Sequence, residues 1–90
     1  FSFRGNHFSH HLTQATYVAQ DRLEFLKHLT LDDSSLAPGI HNDGSHTISG
    51  VVFSRTYQVV VSGNLKTIHY KVFWKDGPNH EITFSTIRSQ

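Results

Sequence analysis

The spacing of apolar positions changes once along this chain, near residue 47. Before that point Leu12, Thr16, Ala19, Leu23, Leu26 and Thr30 recur at alternating steps of four and three, and Ala15, Val18, Phe25 and Leu29 widen the stripe. One apolar face on a 3.6-residue period predicts an amphipathic helix over 13–30. Gln14, Gln20, Asp21, Glu24, Lys27 and His28 cover the opposite side. Glu24 stands four residues before His28, and Lys27 lies near the C-terminal end, where the helix dipole favours a cation. Asp32-Asp33-Ser34-Ser35 and Pro38-Gly39 favour turns, so the helix is expected to stop near Leu31. A short second helical turn fits 33–37, and a loop is expected through 41–46. Residues 1–12, rich in histidine and aromatics, read as irregular.

From Thr47 onward the period is two, which predicts four strands at 47–54, 56–62, 65–74 and 80–87. Gly63-Asn64 is a two-residue hairpin signal, and Asp76-Gly77-Pro78-Asn79 a longer turn. Connections this short make neighbouring strands antiparallel, hence a meander. A turn at Gly63-Asn64 sets Ser62 opposite Leu65, Val59 opposite Ile68 and Tyr57 opposite Tyr70. Closing the last hairpin with Trp74 opposite His80 sets Val72 against Ile82 and Tyr70 against Phe84. One face then carries Tyr57, Val59, Val61, Ile68, Tyr70, Val72, Trp74, Ile82 and Phe84, and that face is expected to receive the helix. The fold class is α+β: an N-terminal amphipathic helix on a four-stranded antiparallel β-meander. Ninety residues make one domain, with a helical part over 1–40 and a meander over 47–87.

Composition narrows the chemistry. Cysteine is absent, which excludes disulfides, thiolate zinc sites and cysteine nucleophiles. There is no methionine even at position 1, and the chain reads as a piece of a longer protein. No apolar run approaches the ~20 residues of a membrane span. A net charge of +1 is not the basic signature of a general nucleic-acid binder, and no DNA partner is expected. Histidine is over-represented, at 8 of 90 residues. It titrates near neutrality, shuttles protons and binds metals.

The same register collects polar side chains on the second face of the sheet. Thr56 lies beside Lys71 and Lys71 beside Thr83; Gln58 lies beside His69 and His69 beside Ser85; Thr67 adds a hydroxyl. Such a face is also what the solvated side of a half-buried sheet looks like. Its chemical reading is a cation, an imidazole and hydroxyl donors converging on one anionic group such as a phosphate. Cleavage of RNA through its own 2′-OH needs this set: a base, an acid, and donors that stabilise the phosphorane charge, with no metal or other cofactor. His10 and His11 are candidates for the second acid or base. With His7 they stand at i, i+3 and i+4 if the helix starts early, a spacing that also suits zinc or nickel. No carboxylate precedes Asp21 to complete that set, and His28 or His46 is a candidate further ligand. Arg55 has the wrong parity for the polar face unless a bulge at Ser54-Arg55 re-aims it.

A helical part followed by a four-stranded antiparallel sheet with His and Lys on its exposed face resembles the barnase/EndoU/colicin/RelE-like ribonucleases. These include the C-terminal toxin domains of contact-dependent growth inhibition proteins and colicin D-like tRNases. The resemblance implies a metal-independent endoribonuclease acting on RNA, such as tRNA. It implies His10 or His11, Lys71 and the stretch Ile82-Thr83-Phe84-Ser85-Thr86, with the Thr83 and Ser85 hydroxyls, as catalytic groups; the strand register adds His69 to them and offers Arg55, Thr56, Gln58 and Thr67 as substrate-binding groups. It implies a cognate immunity protein as partner, and export on a carrier protein with action in the target-cell cytoplasm. The chain departs from the family where a hydroxyl-x-aromatic element is expected on the last strand: Ser85 follows Thr83 and Ile87 follows Ser85. The same layout resembles cystatin-like folds, which implies instead a non-catalytic protein-interaction module. Its contact surface would be the long third strand, the 41–46 loop or an exposed edge strand.

Overall fold

A computed structural model describes residues 3–89, with side chains from His10 onward. One helix, α1 (Phe3–Lys27), lies on a sheet of four antiparallel strands, β1 (Gly39–Ile48), β2 (Val51–Ser62), β3 (Leu65–Lys75) and β4 (Asn79–Ser89), in the spatial order β1-β2-β3-β4. A short 3-10 turn at Ser34–Leu36 links the layers, started by Asp33, whose side chain accepts from the Ser35 N–H. Among the described residues no helix is long and apolar enough to cross a membrane.

The core is where the two periods meet. Ala15, Val18, Ala19, Leu23 and Leu26 of α1 are buried against Phe53, Tyr57, Val59, Ile68, Tyr70, Val72 and Trp74, with Leu12, Leu29, Ile82 and Phe84 at the margin. Every cross-strand pair expected from the turn at Gly63-Asn64 and from the Trp74–His80 closure is present. Val61 has the right parity but stays 40% exposed.

Two boundaries differ from the sequence reading. The helix begins ten residues before Thr13, so residues 3–12 are helical, and it ends at Lys27. Its end is held from the sheet: Arg88 Nη1 donates to the carbonyls of Leu26 (3.2 Å) and Leu29 (2.6 Å), and Lys66 Nζ donates to those of Leu31 (2.6 Å) and Leu36 (2.9 Å). Lys66 and Arg88 are register partners on adjacent strands. A cation beside the C-terminal carbonyls also complements the helix dipole. Arg88→Ala is therefore expected to cost about 1–2 kcal/mol, the worth of charged hydrogen bonds at a partly buried site. Urea unfolding followed by circular dichroism measures it.

The second difference is the first strand. The segment 47–54 is not one strand: Ser49 and Gly50, at φ 51° and 81°, turn the chain between β1 and β2. Two positive φ values in a row form the tight turn that matches strand twist, and Gly50 adopts its value without a Cβ penalty. The expected 41–46 loop is instead the body of β1, and its Asn42-Asp43-Gly44 cluster is a bulge in that strand. The meander therefore starts at Gly39.

Candidate functional site

Strand alternation sends Thr56 and Gln58 of β2, Thr67, His69 and Lys71 of β3, and Thr83 and Ser85 of β4 to the face turned away from α1. Thr56, Lys71 and Thr83 form one row across the sheet, and Gln58, His69 and Ser85 the next. His69 Nδ1 lies 2.8 Å from Ser85 Oγ, and Lys71 Nζ 3.8 Å from Glu81 Oε2. Both members of that ion pair are exposed, so the pair is worth little, about 0–1 kcal/mol.

The remaining candidates lie elsewhere. His10 and His11 sit on α1, their rings 6.1 Å apart, and His11 Nδ1 donates to Asp76 Oδ2 at 2.9 Å in the turn between β3 and β4. The helix packs on the inner face, so the sheet stands between these imidazoles and His69. His7 lies outside the residues whose side chains are described, and among the described residues no three metal-ligating side chains form a group that could hold a metal. Arg55 is a correction: it pairs opposite Val72 on the inner face, because the irregularity that was expected at Ser54-Arg55 falls in β1, between Asn42 and Ser45. No bulge re-aims it.

The outer face is not uniformly polar. Among the described residues nine large hydrophobics are exposed, and six of them (Ile40, Val52, Val60, Leu65, Phe73 and Ile87) have outer-face parity. Val60, Leu65 and Ile87 flank Thr67 at one end, with Ile40 opposite Gln58 on the edge strand, whereas Val52 and Phe73 lie at the other. There a shallow hollow of about 910 Å³ runs over Thr56, Lys71, Phe73, Lys75 and Glu81. Of the expected outer-face residues only Thr56 and Lys71 line it.

A second polar constellation, on the inner face, was not foreseen. Arg22 of α1 donates from Nε and Nη2 to the two carboxylate oxygens of Asp43, at 2.8 and 2.9 Å, and the Tyr70 hydroxyl donates to the same carboxylate. Tyr70 stacks on Tyr57 (5.8 Å), Tyr57 stacks on His41 (4.8 Å), and the Tyr57 hydroxyl donates to the Ser35 carbonyl. Burial pushes the Asp43 carboxyl up, but hydrogen bonds from Arg22 and Tyr70 and the charges of Arg22 and Arg55 outweigh it and hold the group below the ordinary carboxylate range. The Asp43 hydrogen bond raises Arg22 further. Burial, then Asp43, raises Tyr70, and burial raises Tyr57. Asp43 occupies the bulge that Gly44 permits at φ +77°. Arg22 and Asp43 are 21 residues apart and each is an ordinary surface type, so no local pattern marks the pair. The only trace is an Asn-Asp-Gly cluster that breaks strand alternation.

No protein-family model, curated protein or solved structure matches the chain.

Proposed function

We propose that this domain is a non-catalytic module that binds a protein partner through the outer face of its sheet. The observation that carries this reading is the concentration of exposed apolar side chains there, six of nine among the described residues, at both ends of a polar middle. Scattered exposed hydrophobics are ordinary, but a face that gathers most of them around a few polar groups has the make-up of an interface. The partner that fits is apolar at its margins and offers hydrogen-bond acceptors or a carboxylate to Lys71, Gln58 and the row of hydroxyls.

The ribonuclease reading has one observation in its favour, the shared face of His69, Lys71, Thr83 and Ser85. Acid–base cleavage needs two proton-transfer groups within reach of one phosphate. The described part of this face offers one imidazole, His69, and one carboxylate, Glu81, but Glu81 is paired with Lys71 and not with His69, while His10 and His11 lie across the sheet.

Incubated with total tRNA in EDTA, the domain is expected to leave the RNA intact, and His69→Ala and Lys71→Ala to change nothing. Fragments made by the parent protein and not by these two variants would establish nuclease chemistry at this face. A photo-crosslinking residue at position 60 or 87 is expected to capture one discrete protein from extract, and the same residue at position 32, in the exposed loop after α1, to miss it. Equal capture from all three positions removes the proposed interface.

A further inference from the structure

We propose that two copies of this chain pair antiparallel through the free edge of β4, in a register centred on Thr83, and form one continuous sheet. β1 and β4 each have an edge with which no described strand pairs. Such an edge is a row of backbone donors and acceptors open to another strand, and proteins blunt it with bulges, proline or charge. β1 is blunted, because its ladder is broken between Asn42 and Ser45. β4 is not. It pairs with β3 without a break from Asn79 to Ser89, and from Ile82 to Ile87 it holds no charge, proline or glycine. Arg88 is turned back onto the carbonyls at the end of α1. One open edge per chain closes at two copies, since a two-fold dimer uses both.

The sequence of β4 selects a second copy as the strand that fits. Its pattern of apolar and hydroxyl side chains reads alike in both directions about Thr83. Antiparallel self-pairing centred there sets Thr83 opposite itself, Ile82 opposite Phe84 and Glu81 opposite Ser85. Ile82 and Phe84 lie on the inner face at the margin of the core and are only partly buried. The pairing encloses both, and aromatic against β-branched is a favourable cross-strand combination. No like charges stand opposite each other. Centring on Phe84 instead sets Glu81 against Ile87, and centring on Ser85 sets Ile82 against Arg88, so neither matches as well.

A hollow of about 440 Å³ opens at the same edge, between Leu23, Glu24 and Lys27 of α1 and residues 84–86 of β4. Glu24 and Lys27 bring one charge of each sign to its rim, 3.8 Å apart, so two copies meet there without net repulsion. The contact is one strand from each copy, which makes the affinity modest. It uses the edge of the sheet and does not depend on what binds the outer face.

Sedimentation velocity of the purified domain is expected to show a monomer–dimer equilibrium with a Kd on the order of 10–100 μM. Thr83→Lys sets two like charges opposite each other and is expected to weaken the dimer at least about tenfold. Thr47→Lys, at an exposed position of β1, is expected to leave it unchanged. The chain has no cysteine, so Thr83→Cys introduces a single thiol per copy. Oxidation is expected to link the two, because opposed Cβ atoms lie about 4.5–5.5 Å apart. Ser85→Cys is expected not to cross-link, its symmetry mate being on the order of 13 Å away along the strand. The cross-linking arm tests the register even if Thr83→Lys fails to fold. A domain that stays monomeric at about 1 mM, association that continues past two copies, or cross-linking from 85 equal to that from 83 overturns the proposal.

Discussion

Replacing Asp43 with alanine is expected to cost about 2–4 kcal/mol of folding stability and to lower Tm by about 10–25 °C. The side chain is 14% exposed and satisfies two Arg22 donors and the Tyr70 hydroxyl at once. Its loss leaves one guanidinium and one buried phenol without their acceptor, beside a second guanidinium, Arg55, whose charge it also offsets. Breaking one side of a buried pair is costly because the partner stays buried and uncompensated; the part-exposure of Arg22 moderates the loss. The effect carries a pH signature. Asp43 is held below its ordinary value in the folded state. The stability it confers is therefore fully present above the unfolded-state pKa of about 3.9, and it fades as pH falls through the lower folded value. Urea midpoints of the parent protein and of Asp43→Asn should differ at neutral pH and draw together in the acid range. A constant difference down to the most acidic pH at which both fold would show that the carboxylate charge is not what matters.

Phe53→Ala is expected to be the most damaging single truncation, at about 3–5 kcal/mol. Its ring is wholly buried in the core, tilted against Trp74 of β3 with centroids 5.6 Å apart. A domain of this size has about 5–15 kcal/mol in total, so the variant should be partly unfolded at 37 °C. Val52, the preceding residue, is half exposed on the outer face, and Val52→Ala should fall within about 0.5 kcal/mol of the parent protein. Circular dichroism melts of both variants test the alternation at a single peptide bond. A comparable loss from each would mean that the strand is not oriented as described.

Some of this architecture is legible in the residues alone. A strand's side chains alternate with period two, so a single turn, Gly63-Asn64, is enough to set which residue of β2 faces which of β3, and the Trp74–His80 closure extends that to β4. His69, Lys71, Thr83 and Ser85 follow onto one face from the same arithmetic. The first hairpin was harder to read. Alternation runs on through Thr47, Ser49, Val51 and Phe53, and the Ser49-Gly50 dipeptide that separates β1 from β2 is a weaker hairpin signal than one with Asn or Gly at both places, because Ser49 is an uncommon residue for a positive φ. The start of α1 was obscured in a similar way, because histidines and glycine before Leu12 carry a poor helical signal, yet residues 3–12 are helical.

The polar cluster behind the sheet belongs to a different kind of information. Chain chemistry by itself determined the two periods, the class of fold, the pairing of β3 with β2 and β4, and the separation of the sheet into an inner and an outer face. Packing decided that Arg22, Asp43, Tyr70 and Arg55 meet. That meeting needs the helix to lie along a particular line and β1 to bulge at a particular residue. Periodicity is a property of neighbours in the chain, set by backbone sterics and burial. The partner of a charge is set by whatever the folded chain brings within a few ångströms, and no local rule carries that across 21 residues.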